Sequence, residues 1–401
     1  MNVFKKIYCR CFQAVFKLAI PILPYRNPYV MKSCTEVPGV LKSKNIDSVL
    51  IVTDEFLHSS GIIDTLKNSL KKAGIKYSVY DKTVPNPTVS NVEEARMEYI
   101  KNKCNALIGF GGGSSIDAAK AVGARITRAK MPISKMEGIL KIFFKTPFTV
   151  AIPTTAGTGS EVTVTTVITD DATHHKFPIS DFCLIPDACV LDGEITKSLP
   201  PHLTSTTGMD ALVHAIEAYI GRSDVKASRS DALEAIKLIS ENLYVAYTDG
   251  TNLEARKNML RAAFLAGRAF SKSYVGYCHG IAHSLGGEYG IAHGLANAVL
   301  LPYTLESYGN TIYKKAKVIS VIMGFAKESD SEKTATGKLI KGIRYMNQKM
   351  NIPTHLSGIK REDIPRLASY ADKESNPLYP VPKLMDKNEL TGIYYAVMEE
   401  E

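Results

Sequence analysis

Between residues 48 and 192 the chain alternates strand-like and helix-like segments, and this alternation limits its fold more than any other feature. SVLIVTD (48–54) is a short apolar run rich in β-branched residues. The segment after it, through LKNSLKKAG, has helical spacing and stops at a glycine. IKYSVYD (75–81) predicts a second strand, NVEEARMEYIKNK (91–103) a helix, and NALIGFGGG (105–113) a strand running into a glycine-rich turn. SIDAAKAVGARI (115–126) returns to helical spacing and FTVAIPTT (148–155) to strand. Such alternation predicts a parallel sheet with helices on both faces. A β-rich stretch follows, VTVTTVITD (162–170), then KFPIS and ACVLD.

After about residue 195 the texture changes. SLPPHLTSTTGMDALVHAIEAYI, SDALEAIKLISENLYVAY and EARKNMLRAAFLAGRAFS all repeat apolar residues at 3.6-residue spacing. Strand-like runs become scarce from there to the C-terminus. The reading is an amphipathic N-terminal extension (1–30), an α/β domain (31–197) and a helical domain (198–401). No internal repeat stands out.

Hydrophobic residues make up 45% and charged residues 22%, which is globular usage and excludes a disordered chain. The net charge of +9 permits attraction to anionic groups. The basic residues are scattered, however, with no basic stripe interleaved with aromatics, so no nucleic-acid partner is expected. The seven cysteines form no CxxC pair and no even framework, which points to a reducing compartment, the cytoplasm.

The first 24 residues, MNVFKKIYCRCFQAVFKLAIPILP, begin basic and turn apolar. Arg10 and Lys17 interrupt the run, Pro21 and Pro24 end it, and no small-x-small cleavage site follows, which argues against a signal peptide. The stretch is too short and too charged to span a bilayer. An amphipathic segment packed on its own protein or on a partner subunit is the first reading. Peripheral membrane contact is the lesser one.

Two loops and two histidine-bearing segments carry the chemistry. GFGGGSSIDAAK (109–120) joins a strand to a helix, where bare backbone and free N–H groups can receive a pyrophosphate. The match to GxGxxG fails at Ser114, and no acidic residue follows about 20 positions later. Asp54, at the end of an earlier strand, is instead placed to accept hydrogen bonds from ribose hydroxyls and to repel a 2′-phosphate. A glycine-rich turn without a ligand has the same signature. PTTAGTGSEVT (153–163) offers the hydroxyls of Thr154, Thr155, Thr158 and Ser160, either to a phosphate or nicotinamide or to its own backbone. Asp117 reads as a residue favoured by the helix dipole rather than as a catalyst.

GMDALVHAIEAY puts Asp210 and His214 four apart on one helix face. CHGIAHSLGGEYGIAHG (278–294) holds His279, His283 and His293, with His293 expected on a loop. One carboxylate and three imidazoles make a four-ligand site for Fe²⁺ or Zn²⁺. Asp210 and His214 bonding each other is the plainer alternative. Spacing does not separate His279 from His283 as a ligand.

In this order and separation, GGGSSIDAAKA, PTTAGTGSEVT, GMDALVHAIEAY and CHGIAHSLGGEYGIAHG resemble the iron-containing (family III) alcohol dehydrogenases, over roughly residues 30–395. The resemblance implies an α/β dinucleotide-binding domain and a helical metal-binding domain, with metal and nicotinamide meeting in the cleft. It implies metal ligation by Asp210, His214, His279 and His293, and places His283 beside the metal, near nicotinamide and substrate but outside the ligand set; an imidazole there is the expected catalytic proton relay. It implies that Gly111, Gly112, Gly113 and Ser114 hold the pyrophosphate. Asn86, Thr154, Thr155, Thr158 and Lys176 would line the cofactor, and Asp54 matches the acidic position favouring NAD over NADP. One departure is Ala292, where the family often has proline before the last histidine.

The implied activity is metal-dependent, NAD-linked oxidation of a small or medium neutral alcohol, or reduction of its aldehyde. The metal is Fe²⁺, with Zn²⁺ as the other candidate. A homo-oligomer, a dimer or larger, is expected. The alternatives on the same fold are a glycerol or polyol dehydrogenase and a lyase similar to dehydroquinate synthase. The residues around the metal motifs (Leu212, Ile216, Tyr219, Tyr274, Tyr277, Leu285) are apolar or neutral and do not suit a polyanionic lyase substrate.

Overall fold

The computed structural model describes residues 1–173 and 175–399. The chain opens with helix α1 (Val3–Ala19) and then forms two units, one from Pro24 to Leu199 and one from Pro200 onward that also includes Met1–Leu23. The boundaries therefore fall at 23/24 and 199/200, where the sequence reading put 30/31 and 197/198.

The α/β unit contains strands β1 (Tyr29–Met31), β2 (Ser48–Val52), β3 (Lys76–Tyr80), β4 (Ala106–Gly111), β5 (Gly138–Ile139), β6 (Phe148–Pro153), β7 (Thr165–Thr169), β8 (Lys176–Ser180) and β9 (Ala188–Val190). Six form one wholly parallel sheet in the order β1-β9-β6-β4-β2-β3. Helices α2 (Val37–Ser43), α3 (Glu55–Ser59), α4 (Asp64–Lys72), α5 (Val89–Lys101) and α6 (Gly113–Thr127) connect them.

The strand period of two sends alternate residues to opposite faces. Val49 and Ile51 pack with Leu66 and Leu70 of α4, while Leu50 and Val52 pack with Val92 of α5 and Val122 of α6. Both faces are dry, so β2 and β4 read as continuous apolar runs. The stretch 162–180 departs from the parallel pattern. Together with β5 it makes a separate three-stranded sheet, β5-β8-β7, in which β7 and β8 run antiparallel.

The helical unit contains α7 (Pro201–Ile220), α8 (Lys226–Thr248), α9 (Leu253–Ser273), α10 (Tyr277–Tyr289), α11 (His293–Tyr308), α12 (Tyr313–Ile322), α13 (Glu332–Lys349), α14 (Ile364–Ser375) and α15 (Lys387–Val397). From Gly208 to Ile220, α7 is buried on every side, as expected of a helix at the centre of a bundle. No helix among the described residues is long and apolar enough to cross a membrane.

The N-terminal segment packs on its own helical unit through a mixed face, in which Cys9, Phe16 and Ile20 sit beside polar side chains. Lys5 Nζ reaches Asp372 at 2.7 Å, Arg10 donates to the carbonyls of Val381 and Pro382, and Gln13 to those of Pro377 and Tyr379. The apolar row Phe4, Ile7, Val15, Leu18 and Ile22 faces outward and is exposed.

Candidate metal centre and dinucleotide cradle

Spacings of four and three put Asp210, His214 and Glu217 on one face of α7, all buried. A buried carboxylate needs partners. Glu217 accepts the backbone N–H of Gly276 at 2.8 Å and of Cys278 at 2.9 Å, and sits 2.7 Å from His279 Nδ1. Burial pushes the Glu217 carboxyl up to about 7, while those N–H groups pull the other way. Burial, reinforced by the neighbouring imidazoles, holds His279 well below the usual histidine range and therefore neutral. With Nδ1 bonded to Glu217, the His279 lone pair is left on Nε2, which is buried and makes no hydrogen bond. That atom lies 3.9 Å from Asp210 Oδ1.

His293 is the first residue of α11, not a loop residue. Its Nε2 is 3.5 Å from Asp210 Oδ1. Gly294 makes this approach possible, because a Cβ there would stand 2.5 Å from the Thr206 carbonyl oxygen of α7. The donor atoms of Asp210, His214, His279 and His293 all lie within 4.8 Å of one another. The His214 ring stacks between Phe270 and His279, with centroids 4.2 and 4.3 Å away.

Buried polar atoms are normally hydrogen-bonded. A lone pair on His279 left without a hydrogen, next to three other donors, is what a divalent cation satisfies. Three imidazoles and one carboxylate fit Fe²⁺ or Zn²⁺. His283 stands apart from this group. Its Nδ1 is 2.5 Å from Glu374 Oε1, which also accepts the Tyr379 hydroxyl at 2.6 Å. Its ring lies 5.2 Å from that of His293, nearly parallel.

In the α/β unit, β2 and β4 are neighbours. The connections from them wind to opposite sides, so their C-terminal ends form the switch point where ligands bind in such sheets. This is why the acidic residue comes from an earlier strand: Asp54 follows β2 and the glycine turn follows β4. Asp54 caps α3, accepting the Leu57 N–H at 2.9 Å through Oδ1. Gly112 opens α6 as its N-cap, with Gly113 and Ser114 in the first turn.

The second loop packs directly on that turn. Thr154 N–H donates to the Gly111 carbonyl at 3.0 Å, and a Cβ on Gly113 would meet Thr158 Cγ2 at 2.7 Å. Thr155 is 3.5 Å from the corresponding point on Gly112. Lys176 Nζ donates to Asn86 Oδ1 at 2.8 Å, which makes a second cluster. Ser160 and Asp117 are spent on the fold: the Ser160 hydroxyl donates to Asp117 Oδ1, and Asp117 Oδ2 accepts the Val167 N–H.

The profile of the iron-containing alcohol dehydrogenases matches residues 29–193, and that of the C-terminal part of the same family matches residues 204–398. Alcohol dehydrogenase 4 of Saccharomyces cerevisiae is 37% identical over 339 residues, 84% of this chain and 87% of that protein. The NAD-dependent methanol dehydrogenase of Bacillus methanolicus is 36% identical over 350 residues, 85% of this chain and 91% of that protein. A solved structure of 1,3-propanediol oxidoreductase superposes with a TM-score of 0.90 at 34% identity, covering 93% of this chain and 99% of that one. The chain belongs to the iron-containing alcohol dehydrogenase family. It is an oxidoreductase.

Family membership leaves details to this chain. Ala292, where the family often has proline, has φ −58°, the value proline would impose, so the entry into α11 keeps its shape. Cys278 is a packed thiol whose Sγ lies 3.4 Å from the Asn297 carbonyl.

Sequence reasoning missed four supporting residues. Glu217 and Asn297 had local signals. Glu217 lies on the ligand face of α7, three positions after His214. Asn297 lies four positions after His293 and donates to Asp210 Oδ1 at 2.7 Å. Glu374 and Tyr379, about 90 positions from His283, had no local signal.

Proposed function

We propose that this enzyme interconverts a small or medium neutral alcohol and its aldehyde, with NAD and a divalent iron held by Asp210, His214, His279 and His293. The observation that carries the reading is the convergence of those four donors with His283 beside them. When bound, the iron supplies a Lewis acid for the alcohol or carbonyl oxygen, and NAD supplies the hydride acceptor or donor. Asp210 brings the only negative charge among the four ligands. Glu217 fixes the tautomer and orientation of His279, as carboxylates behind metal-binding histidines do. Glu374 anchors His283 through Nδ1 and leaves Nε2 to carry a proton between the substrate oxygen and solvent.

Among the described residues, the ion-pair neighbours of Asp210 are the imidazoles of His214, His279 and His293 rather than lysine or arginine, which supports a neutral substrate over a polyanionic one. On the cofactor side, Gly111, Gly112, Gly113 and Ser114 take the pyrophosphate, with Thr154, Thr155, Thr158, Asn86 and Lys176 around it. Asp54 has one carboxylate oxygen on its helix cap and the other left for the ribose, which supports NAD over NADP. The seven free cysteines suit the cytoplasm. The outward apolar row of α1 supports a homo-oligomer, a dimer or larger, which light scattering checks.

The deciding experiment is metal analysis joined to NADH-linked turnover over a panel of aldehydes and diols. Iron-loaded protein with no turnover on any of them contradicts the reading. His283→Ala lowers kcat by about 10²-fold or more while iron content stays.

A further inference from the structure

A cavity of about 670 Å³ lies between α1 and the start of α12, and its walls carry Arg10, Lys17, Arg222, Lys314 and Lys315. It belongs to the helical unit alone and none of the proposed catalytic residues lines it. The volume is that of a small-molecule site.

Five cations converge there, and Asp224, the carboxylate that pairs with two of them, is oversubscribed. Asp224 is shared by Arg229 at 2.8 Å, Lys315 at 3.2 Å and Lys17 at 3.8 Å. The side chains of Arg222 and Lys314 form no hydrogen bond or ion pair among the described residues. Arg10 is fixed in place: its guanidinium donates to Gln13 and to the carbonyls of Val381 and Pro382. Burial, and then the charge of Arg222, lowers it to about 10, so it stays protonated at neutral pH. Like charges held this close repel, and a wall only part-buried does not screen them fully. A multiply charged anion removes that repulsion and gains charge-assisted hydrogen bonds. Arginine and lysine donors without a carboxylate partner are the chemistry of phosphate recognition.

We propose that this cavity is a binding site for a phosphate-bearing anion, held chiefly by Arg10, Arg222 and Lys314. The anion is either a soluble phosphate ester or a lipid headgroup, and both present the same oxygens to these cations. Because Arg10 and Lys17 come from α1, an occupied cavity ties that helix to the rest of the helical unit.

The test titrates the full chain with inorganic pyrophosphate at an ionic strength fixed with NaCl. Saturating NADH keeps the glycine-rich turn filled. Calorimetry and thermal melting are read for the wild type and for R222A/K314A, both exposed positions outside the catalytic machinery. Wild type is expected to bind saturably and melt higher. The double variant is expected to bind roughly tenfold or more weakly, as losing one charge-assisted contact or two implies, with unchanged NADH-linked activity. K314Q serves as the milder variant if the double change lowers stability. A second arm floats the protein on phosphatidylcholine vesicles with and without phosphatidylserine. Pyrophosphate binding lost in the variant assigns a soluble phosphate compound. Flotation on phosphatidylserine vesicles, lost in the variant and seen without pyrophosphate binding, assigns a headgroup. Neither effect, or effects equal in variant and wild type, overturns the proposal.

Discussion

The two units build their sites from different materials. In the helical unit the candidate site is made of side-chain atoms, one carboxylate and three imidazoles, with buried Asn297 behind Asp210 and buried Glu217 behind His279. In the α/β unit it is made of bare backbone, with Gly111 and Gly113 placed where a side chain would strike Ser115 or Thr158. The first kind of site fails when a donor is removed. The second fails when atoms are added.

Removing a donor should have the largest effect. Asp210→Ala takes the one anionic ligand away and leaves three imidazoles. Turnover is expected to fall on the order of 10³-fold or more, since a Lewis acid is worth several kcal/mol at the transition state. Chelation of the wild type should do the same and be reversed by adding iron. A variant retaining iron and activity would remove Asp210 from the ligand set.

Glu217→Gln comes next, because it leaves every donor in place. The amide keeps one acceptor but turns an N–H toward the Gly276 or Cys278 N–H group. Metal affinity is expected to weaken 10- to 100-fold, as for other groups that orient a metal-binding histidine. Competition with a chelator measures it.

Adding atoms is tested by Gly113→Ala. The new methyl meets Thr158 at 2.7 Å, and overpacking of this kind costs about 1–3 kcal/mol. The KM for NAD should rise roughly tenfold with iron content untouched. Thr158→Ala in the same chain should recover part of the loss. Equal loss of iron and NAD affinity in G113A would erase the distinction between the two sites.

The smallest effect concerns stability. Glu161 is buried in the 153–163 loop with Oε1 unbonded, and burial raises it from 4.5 to about 7. Below pH 4.5 the folded and unfolded chains are both protonated there, and the group costs nothing. Between 4.5 and 7 the unfolded chain ionises while the folded chain does not, so stability falls as pH rises. Above 7 the cost is complete, at most about 3 kcal/mol. Glu161→Gln should therefore melt above wild type at pH 8 and close to it at pH 4.5. A gain independent of pH would show that the carboxyl is not the cause.

The same contrast explains what could be read from the sequence. Periodicity exposed the sheet and the helices because burial on two faces, or on one stripe, leaves a repeating apolar pattern. Asp210 and His214 were legible because a helix turns their spacing into proximity. His279 and His283 share that spacing, so periodicity treats them alike. Only the resemblance divided them, and in the structure Glu217 stands behind one and Glu374 behind the other. The antiparallel pair β7–β8 was hidden because alternation along a strand does not state its direction. The orientation of α1 was hidden for another reason: an amphipathic pattern says which residues share a face, while Arg10 and Gln13 bonding to carbonyls of residues 377–382 decides which face packs.

The division between His279 and His283 is tested most directly by iron content per chain in the wild type, His279→Ala and His283→Ala, purified alike and loaded with Fe²⁺. Wild type and H283A should hold equal iron, with H283A slow, and H279A should hold little. Iron lost from H283A and kept by H279A would contradict the account.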